Sequence, residues 1–331
     1  MLFLLACDPP DPVVTDTDGD GYPDTEDCGP KDASVHPFAD EVRGDGTDQD
    51  CDGWDPPALT VLSGSEVDEG YGTRLAWGTD LWVGAPFSRG GRAYRGDVAN
   101  IEGDAGAFCG AGLAALSDGT VLVGCPGAGQ VRSAAGIVLE APGVGGVIAS
   151  HGADWVASTP TGIIDAAGAR TDWDRRPDAL AYASDGTLAA GFARGDTSVR
   201  VGDTTSPRGA VGDEAGFALL YADLGAGEVL IVGAPGVGQV HIGGDTVGTG
   251  SGRFGAALAA DTSGTLYVGA PMVDGGAGAV YTVRDGTITL LISGSPGEQL
   301  GTSLAFYRDT LAIGAPGAAD AAGTVRMVAL P

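Results

Sequence analysis

The chain has 331 residues, of which 59 are glycine, only 18% are charged and three are histidine, and its net charge is −27. That acidity excludes a general affinity for nucleic acid or anionic lipid and favours divalent cations, with calcium the natural partner. Short apolar runs parted by Gly, Pro, Asn and Asp, without helical periodicity, predict an all-β fold.

Residues 1–7 read MLFLLAC, an apolar stub that resembles the lipobox at which bacterial signal peptidase cuts and a diacylglyceryl group joins the cysteine. Cys7 would then be a lipid anchor to the membrane. The stub lacks a basic n-region and a full apolar core, so a remnant of an ordinary secretory leader with an incidental cysteine stays open beside it. Both readings place the protein outside the cytoplasm, at the bacterial cell envelope or outer-membrane surface, or secreted. Residues 8–15, with Pro9, Pro10 and Pro12, read as a stiff tether. No later run approaches the ~20 apolar residues needed to span a bilayer.

Residues 16–57 form an acidic segment. Within it DTDGDGYPDTED sets Asp16, Asp18, Asp20, Asp24 and Asp27 at positions 1, 3, 5, 9 and 12 of a calcium loop, with Gly21 at position 6 and Tyr22 offering its carbonyl at position 7. Alternate residues of a tight loop turn their oxygens onto one hard cation, and glycine allows the bend. No apolar helical pattern flanks the loop, so switching EF-hand helices are not expected. It resembles the loops of thrombospondin type 3 repeats. Asp48, Asp50 and Asp52, before Gly53, make a second half-match. The whole stretch is similar to a Cys-containing metal-binding motif of large bacterial surface proteins, although the further cysteine which that motif carries near residues 42–44 is absent. A solvated acidic linker without metal is the plain alternative. His36 alone among these aspartates supports neither copper nor zinc.

Five cysteines divide evenly for an exported chain: Cys7 for lipid, Cys28 with Cys51 across the acidic segment, and Cys109 with Cys125.

Repeats dominate residues 58–331. Gly84-Ala85-Pro86, Gly124-Cys125-Pro126, Gly233-Ala234-Pro235, Gly269-Ala270-Pro271 and Gly314-Ala315-Pro316 each follow a β run. Upstream stand Tyr71-Gly72, Phe108-Cys109, Phe217-Ala218, Phe254-Gly255 and Leu300-Gly301. These pairs resemble the FG-GAP repeat of integrin α-chain headpieces, which implies a β-propeller. The gap between Gly124 and Gly233 leaves room for two degenerate repeats, visible around Pro160 and Phe192, so seven blades are expected. Residues 58–72 echo residues 288–301, so 58–62 should close the last blade beside 324–330. In the second blade one cysteine stands for the Gly of aromatic-Gly and the other for the Ala of Gly-Ala-Pro, which predicts a cross-strand disulfide between Cys109 and Cys125. Integrin-like propellers carry calcium loops inside their blades, but here only Asp223, Glu228 and Asp261 survive of them, so no strong metal site is expected there.

HExxH, GxSxG and phosphate-loop motifs are missing, and Trp77, Trp82, Trp155 and Trp173 read as packing residues rather than a sugar platform. We therefore expect an adhesion or ligand-binding module for an extracellular protein or glycan, with calcium in its stalk, and not an enzyme. A structural envelope lipoprotein is the first alternative and a propeller hydrolase or lyase the second.

Overall fold

The computed structural model describes residues 15–37, 39, 47–49, 51, 59–195, 197–207 and 209–330. Cys7, the tether up to residue 14, Asp50 and Asp52 lie outside the described residues. The chain forms two compact units, residues 1–59 with 331, and residues 60–330.

The larger unit is a seven-bladed β-propeller. Each blade is a four-stranded antiparallel sheet, and the seven sheets run over residues 74–102, 112–140, 148–172, 179–207, 218–249, 257–293 and 303–329, the last completed by Leu59–Ser63. The first strand of every blade touches the first strand of the next, and Ser303–Tyr307 returns to Arg74–Trp77, which closes the ring around a central channel. In the closing blade Leu59–Ser63 lies outside Thr324–Ala329, so both ends of the ring share one sheet and no blade is left with an open inner edge.

Burial follows from this geometry. Second strands such as Leu81–Ala85, Val121–Cys125 and Leu266–Ala270 are buried along their whole length, because neighbouring blades cover both faces, and so their sequences run apolar without alternation. Outer strands such as Gly136–Glu140 face water. The core therefore lies between blades. One cluster joins Tyr71, Leu81, Val83 and Tyr94 of the first blade to Ala312 and Val325 of the seventh.

Blades approach closely where glycine faces glycine. Gly72, Gly110, Gly145, Gly216, Gly255 and Gly301 enter the first strands with φ between +87° and +95°. The Gly110 amide donates to the Gly124 carbonyl at 3.1 Å, inside its own blade, while Gly110 lies against Gly84 of the blade before. A Cβ at Gly84 would stand 2.2 Å from the Gly110 carbonyl oxygen, and one at Gly124 would stand 1.7 Å from that of Gly145.

This pattern corrects the motif alignment in two blades. In the second blade Cys109-Gly110, not Phe108-Cys109, takes the place of Tyr71-Gly72, and in the fifth Ala215-Gly216 does so rather than Phe217-Ala218. The left-handed glycine defines the position, whereas the aromatic residue only fills the space beside it. Tyr71, Phe254 and Leu300 fill it in other blades, and all three are fully buried. In the second blade Cys109 and Cys125 fill it with a disulfide. Cys109 thus sits in the turn before its strand, not on a strand paired with that of Cys125. The second disulfide joins Cys28 and Cys51. Two disulfides suit an oxidising compartment outside the cytoplasm. No helix among the described residues is long and apolar enough to cross a membrane.

Candidate functional site

Two places gather chemistry, one in each unit. In the acidic unit the aspartates of the loop spend oxygens on the turn itself, Asp16 and Asp24 both of theirs and Asp18, Asp20 and Asp27 one each. Asp16 accepts from the Gly19 and Gly21 amides at 2.7 and 3.1 Å, Asp20 from Tyr22 N at 2.7 Å and Asp27 from Gly29 N at 2.7 Å. Carboxylate oxygens of Asp16, Asp18 and Asp20 lie within 4.8 Å of one another. The second oxygens of Asp18, Asp20 and Asp27 are buried and have no hydrogen-bond partner among the described residues. Buried carboxylate oxygens without a donor are costly, and a hard cation is the ligand that removes the cost. Asp16, Asp18 and Asp20 are thus hard oxygen donors of the kind calcium takes, whereas Asp27 falls beside the Cys28–Cys51 disulfide and not in their group.

Other predicted ligands have different roles in the structure. Asp24 accepts from Thr17 N at 2.8 Å and Thr17 Oγ1 at 2.7 Å, so both its oxygens serve the loop's own closure. The Tyr22 ring stacks on His36 at 4.9 Å between centroids, which pins residue 36 against the loop. The carbonyl oxygen of Asp48 lies 3.4 Å from Cys28 Sγ, beside the disulfide rather than turned to the acid loop. Within the blades, Asp223 accepts from Gly225 N and Gly227 N, and Asp261 from Ser263 N and Thr265 N, closing hairpin turns. Glu228 accepts from Ser184 N and Oγ, linking the fifth blade to the fourth. Trp82 and Trp155 are buried in inter-blade clusters, and Trp77 Nε1 donates to the Ala305 carbonyl at 3.1 Å.

The second place is the end of the ring that carries the loops into the first strands and out of the second strands. It was not legible as a motif. Six large apolar side chains are exposed on those loops: Val67, Phe87, Phe108, Val211, Val237 and Met272, with Phe87 at 62% and Val211 at 84% exposure. At the centre of the same face, the channel opens into a cavity of about 240 Å³ lined by first-strand residues of several blades. Its charged lining consists of Arg74, Arg176, Arg194 and Asp178. Asp178 Oδ1 lies 3.4 Å from Arg194 Nε, and its Oδ2 accepts from Arg194 N at 3.0 Å.

No family model matches the chain, and no curated protein matches it. Solved structures do. Virginiamycin B lyase from Staphylococcus aureus superposes with a TM-score of 0.63 at 14% identity, over 83% of this chain and 99% of the lyase. A streptogramin B lyase gives 0.62 at 15% identity, over 82% of this chain and 97% of that one. The extracellular domain of a hybrid two-component system from B. thetaiotaomicron gives 0.51 at 11% identity, over 82% of this chain and 38% of that one.

The chain shares their propeller fold. At these identities the likeness carries the fold alone, and it does not reach the FG-GAP or integrin resemblance. It does overturn the expectation that the protein is not an enzyme, because the structures that the chain superposes on along nearly their full length are lyases. The reason is physical. A ring gathers side chains from distant blades at one channel, so missing contiguous motifs exclude no chemistry there.

Proposed function

We propose that the protein is an extracytoplasmic ligand-binding propeller that engages an extracellular protein or glycan through its loop face, with calcium held in the acidic unit. The observation that carries this reading is that six exposed apolar side chains stand on the loops of one end of the ring. Apolar side chains on loops of a rigid scaffold are what recognition uses, and the opposite end offers no comparable set among the described residues. The calcium component is supported by the buried oxygens of Asp18 and Asp20, which have no hydrogen-bond partner among the described residues. Asp16, Tyr22, Asp24, Asp27, Asp48, Asp50 and Asp52 complete the proposed donor region. A lipid on Cys7 would tether the ring to the envelope surface.

The test immobilises residues 8–331 and offers a glycan panel and envelope extract, with calcium or with chelator. One defined species should be retained, and retention should fall at least tenfold in the triple variant Phe87→Ser, Val211→Ser, Met272→Ser. Equal retention by the variant would move binding off this face. In parallel, calcorimetric titration should show one calcium site that Asp18→Asn with Asp20→Asn abolishes; an unchanged isotherm would remove calcium from the loop. If the retained species comes off chemically altered, the face belongs to a catalyst.

A further inference from the structure

The mouth of the channel breaks the symmetry of the ring in two ways. Two residues after each entry turn, the other six blades place Gly112, Val147, Leu180, Ala218, Ala257 and Ser303. The first blade places Arg74 there, a cation among small and apolar residues. The second break is at the junction of the third and fourth blades, where the glycine pair is lost. Asp178 takes the place of the turn glycine, with its amide donating to the Gly191 carbonyl at 2.8 Å. Ser158 stands in the third blade where other blades have the Gly of Gly-Ala-Pro, its carbonyl accepting from Gly145 N at 3.0 Å. The same irregular fourth blade supplies Arg176 just before its first strand and Arg194 just after its second. Departures from a repeat at one spot mark what the fold does not itself require.

Charge accounting at this spot is one-sided. Three guanidiniums and one carboxylate line the cavity, on a chain whose net charge is −27. Asp178 already serves Arg194 with both oxygens. Arg74 donates Nη1 to the Thr73 carbonyl at 3.1 Å and pairs with no carboxylate among the described residues. Arg176 makes no ion pair among them either, and its guanidinium lies against the bare Cα of Gly146, where a Cβ would stand 2.1 Å from Nη2. Enclosure in the bore, then the nearby Arg176 and Arg194, holds the pKa of Arg74 below its ordinary value. Arg74 is nonetheless an exposed residue, so water screens much of that desolvation and repulsion. Guanidinium forks match the oxygens of carboxylate, phosphate and sulfate two at a time, and several convergent forks favour an anion over bulk chloride.

We propose that the channel mouth is an oxyanion site, in which Arg74, Arg176 and Arg194 together hold a carboxylate, phosphate or sulfate group borne by a small organic ligand. The cavity of about 240 Å³ has room for a compact anion. The site lies on the face proposed above for ligand binding, but its test needs no partner, so either idea can fail alone.

The experiment follows thermal unfolding and titration calorimetry of the whole chain with sodium phosphate, sulfate, citrate or glucose, at ionic strength matched with sodium chloride. Phosphate, sulfate or citrate should raise the melting temperature where chloride and glucose do not, and the anion that acts identifies the group. Apparent affinity should weaken at least tenfold in Arg74→Gln and in Arg176→Gln, and stay as in the wild type in Arg170→Gln on an outer strand. Arg74→Lys, which keeps the charge but loses the fork, should fall between. Without anion, Arg74→Gln should melt no lower than the wild type, since a crowded charge is removed. Gly146→Ala, which displaces the Arg176 guanidinium without touching Arg74, is the second variant should Arg74→Gln fold poorly. No rise with any oxyanion, or an equal rise in Arg74→Gln with Arg176→Gln, overturns the proposal.

Discussion

At the scale of single residues, the acid with most at stake is Glu69, whose side chain is fully buried. Its Oε1 accepts from Ser65 N at 2.5 Å and Glu66 N at 3.3 Å, and its Oε2 accepts from Tyr94 OH at 2.7 Å and lies 3.5 Å from Arg92 Nη1. Arg92 also reaches Glu66 at 2.8 Å and Glu102 at 3.1 Å. Glu298 repeats the arrangement in the closing blade, accepting from Ser295 N at 2.9 Å and pairing with Arg326 at 2.5 Å. Arg92 would keep Glu66 and Glu102, but Ser65 N, Glu66 N and Tyr94 OH would lose a buried acceptor, so Glu69→Ala should cost about 1–3 kcal/mol in urea unfolding. Glu298→Ala, in a partly solvated setting, should cost less. Equal losses would show that burial does not set the worth of these pairs. The serine and glutamate common to both stretches are visible in the sequence echo between residues 58–72 and 288–301, but their purpose is not. Only the fold shows that each glutamate closes the loop into its first strand.

At the scale of the element, the spacing between blades depends on bare backbone. Gly124→Ala would set a methyl carbon 1.7 Å from the Gly145 carbonyl oxygen, and backbone cannot rotate away as a side chain can. The second and third blades would have to part, at a cost of about 1–3 kcal/mol. A calorimetric scan should read that as a fall of several degrees, at about 2–4 °C per kcal/mol for a chain of this size. An unchanged melting temperature would mean that the blades slide freely.

The same glycines explain how far the sequence could be read. The Gly-Ala-Pro ends were plain, because glycine there is an obligation of packing and the apolar run before it is an obligation of burial. The aromatic partner was a poorer guide, since Cys109, Val144 and Ala215 fill its place in three blades, and the exposed Phe108 drew the register off by one. The acid loop was legible because its ligands are contiguous. Arg74, Arg176 and Arg194 were not, because only ring closure brings them to one mouth.

At the scale of the molecule, five of the eight tyrosines, Tyr71, Tyr94, Tyr182, Tyr221 and Tyr267, are held above the ordinary phenol pKa, in each case mainly by burial. The folded state keeps these protons where the unfolded chain would release them. The stability they contribute is complete below about pH 10 and declines as the pH rises beyond it. A spectrophotometric alkaline titration should show these phenols ionising together with loss of circular dichroism, and a smooth titration before unfolding would contradict the burial assigned to them.

Because Leu59–Ser63 completes the sheet that ends at Ala329, the first segment of the ring to leave a ribosome or a translocon waits for the last. Until then the nascent chain is a row of blades with its seam unstitched. A truncated product could form most of its hairpins and still lack the closed ring, so completeness of synthesis is checked by topology itself.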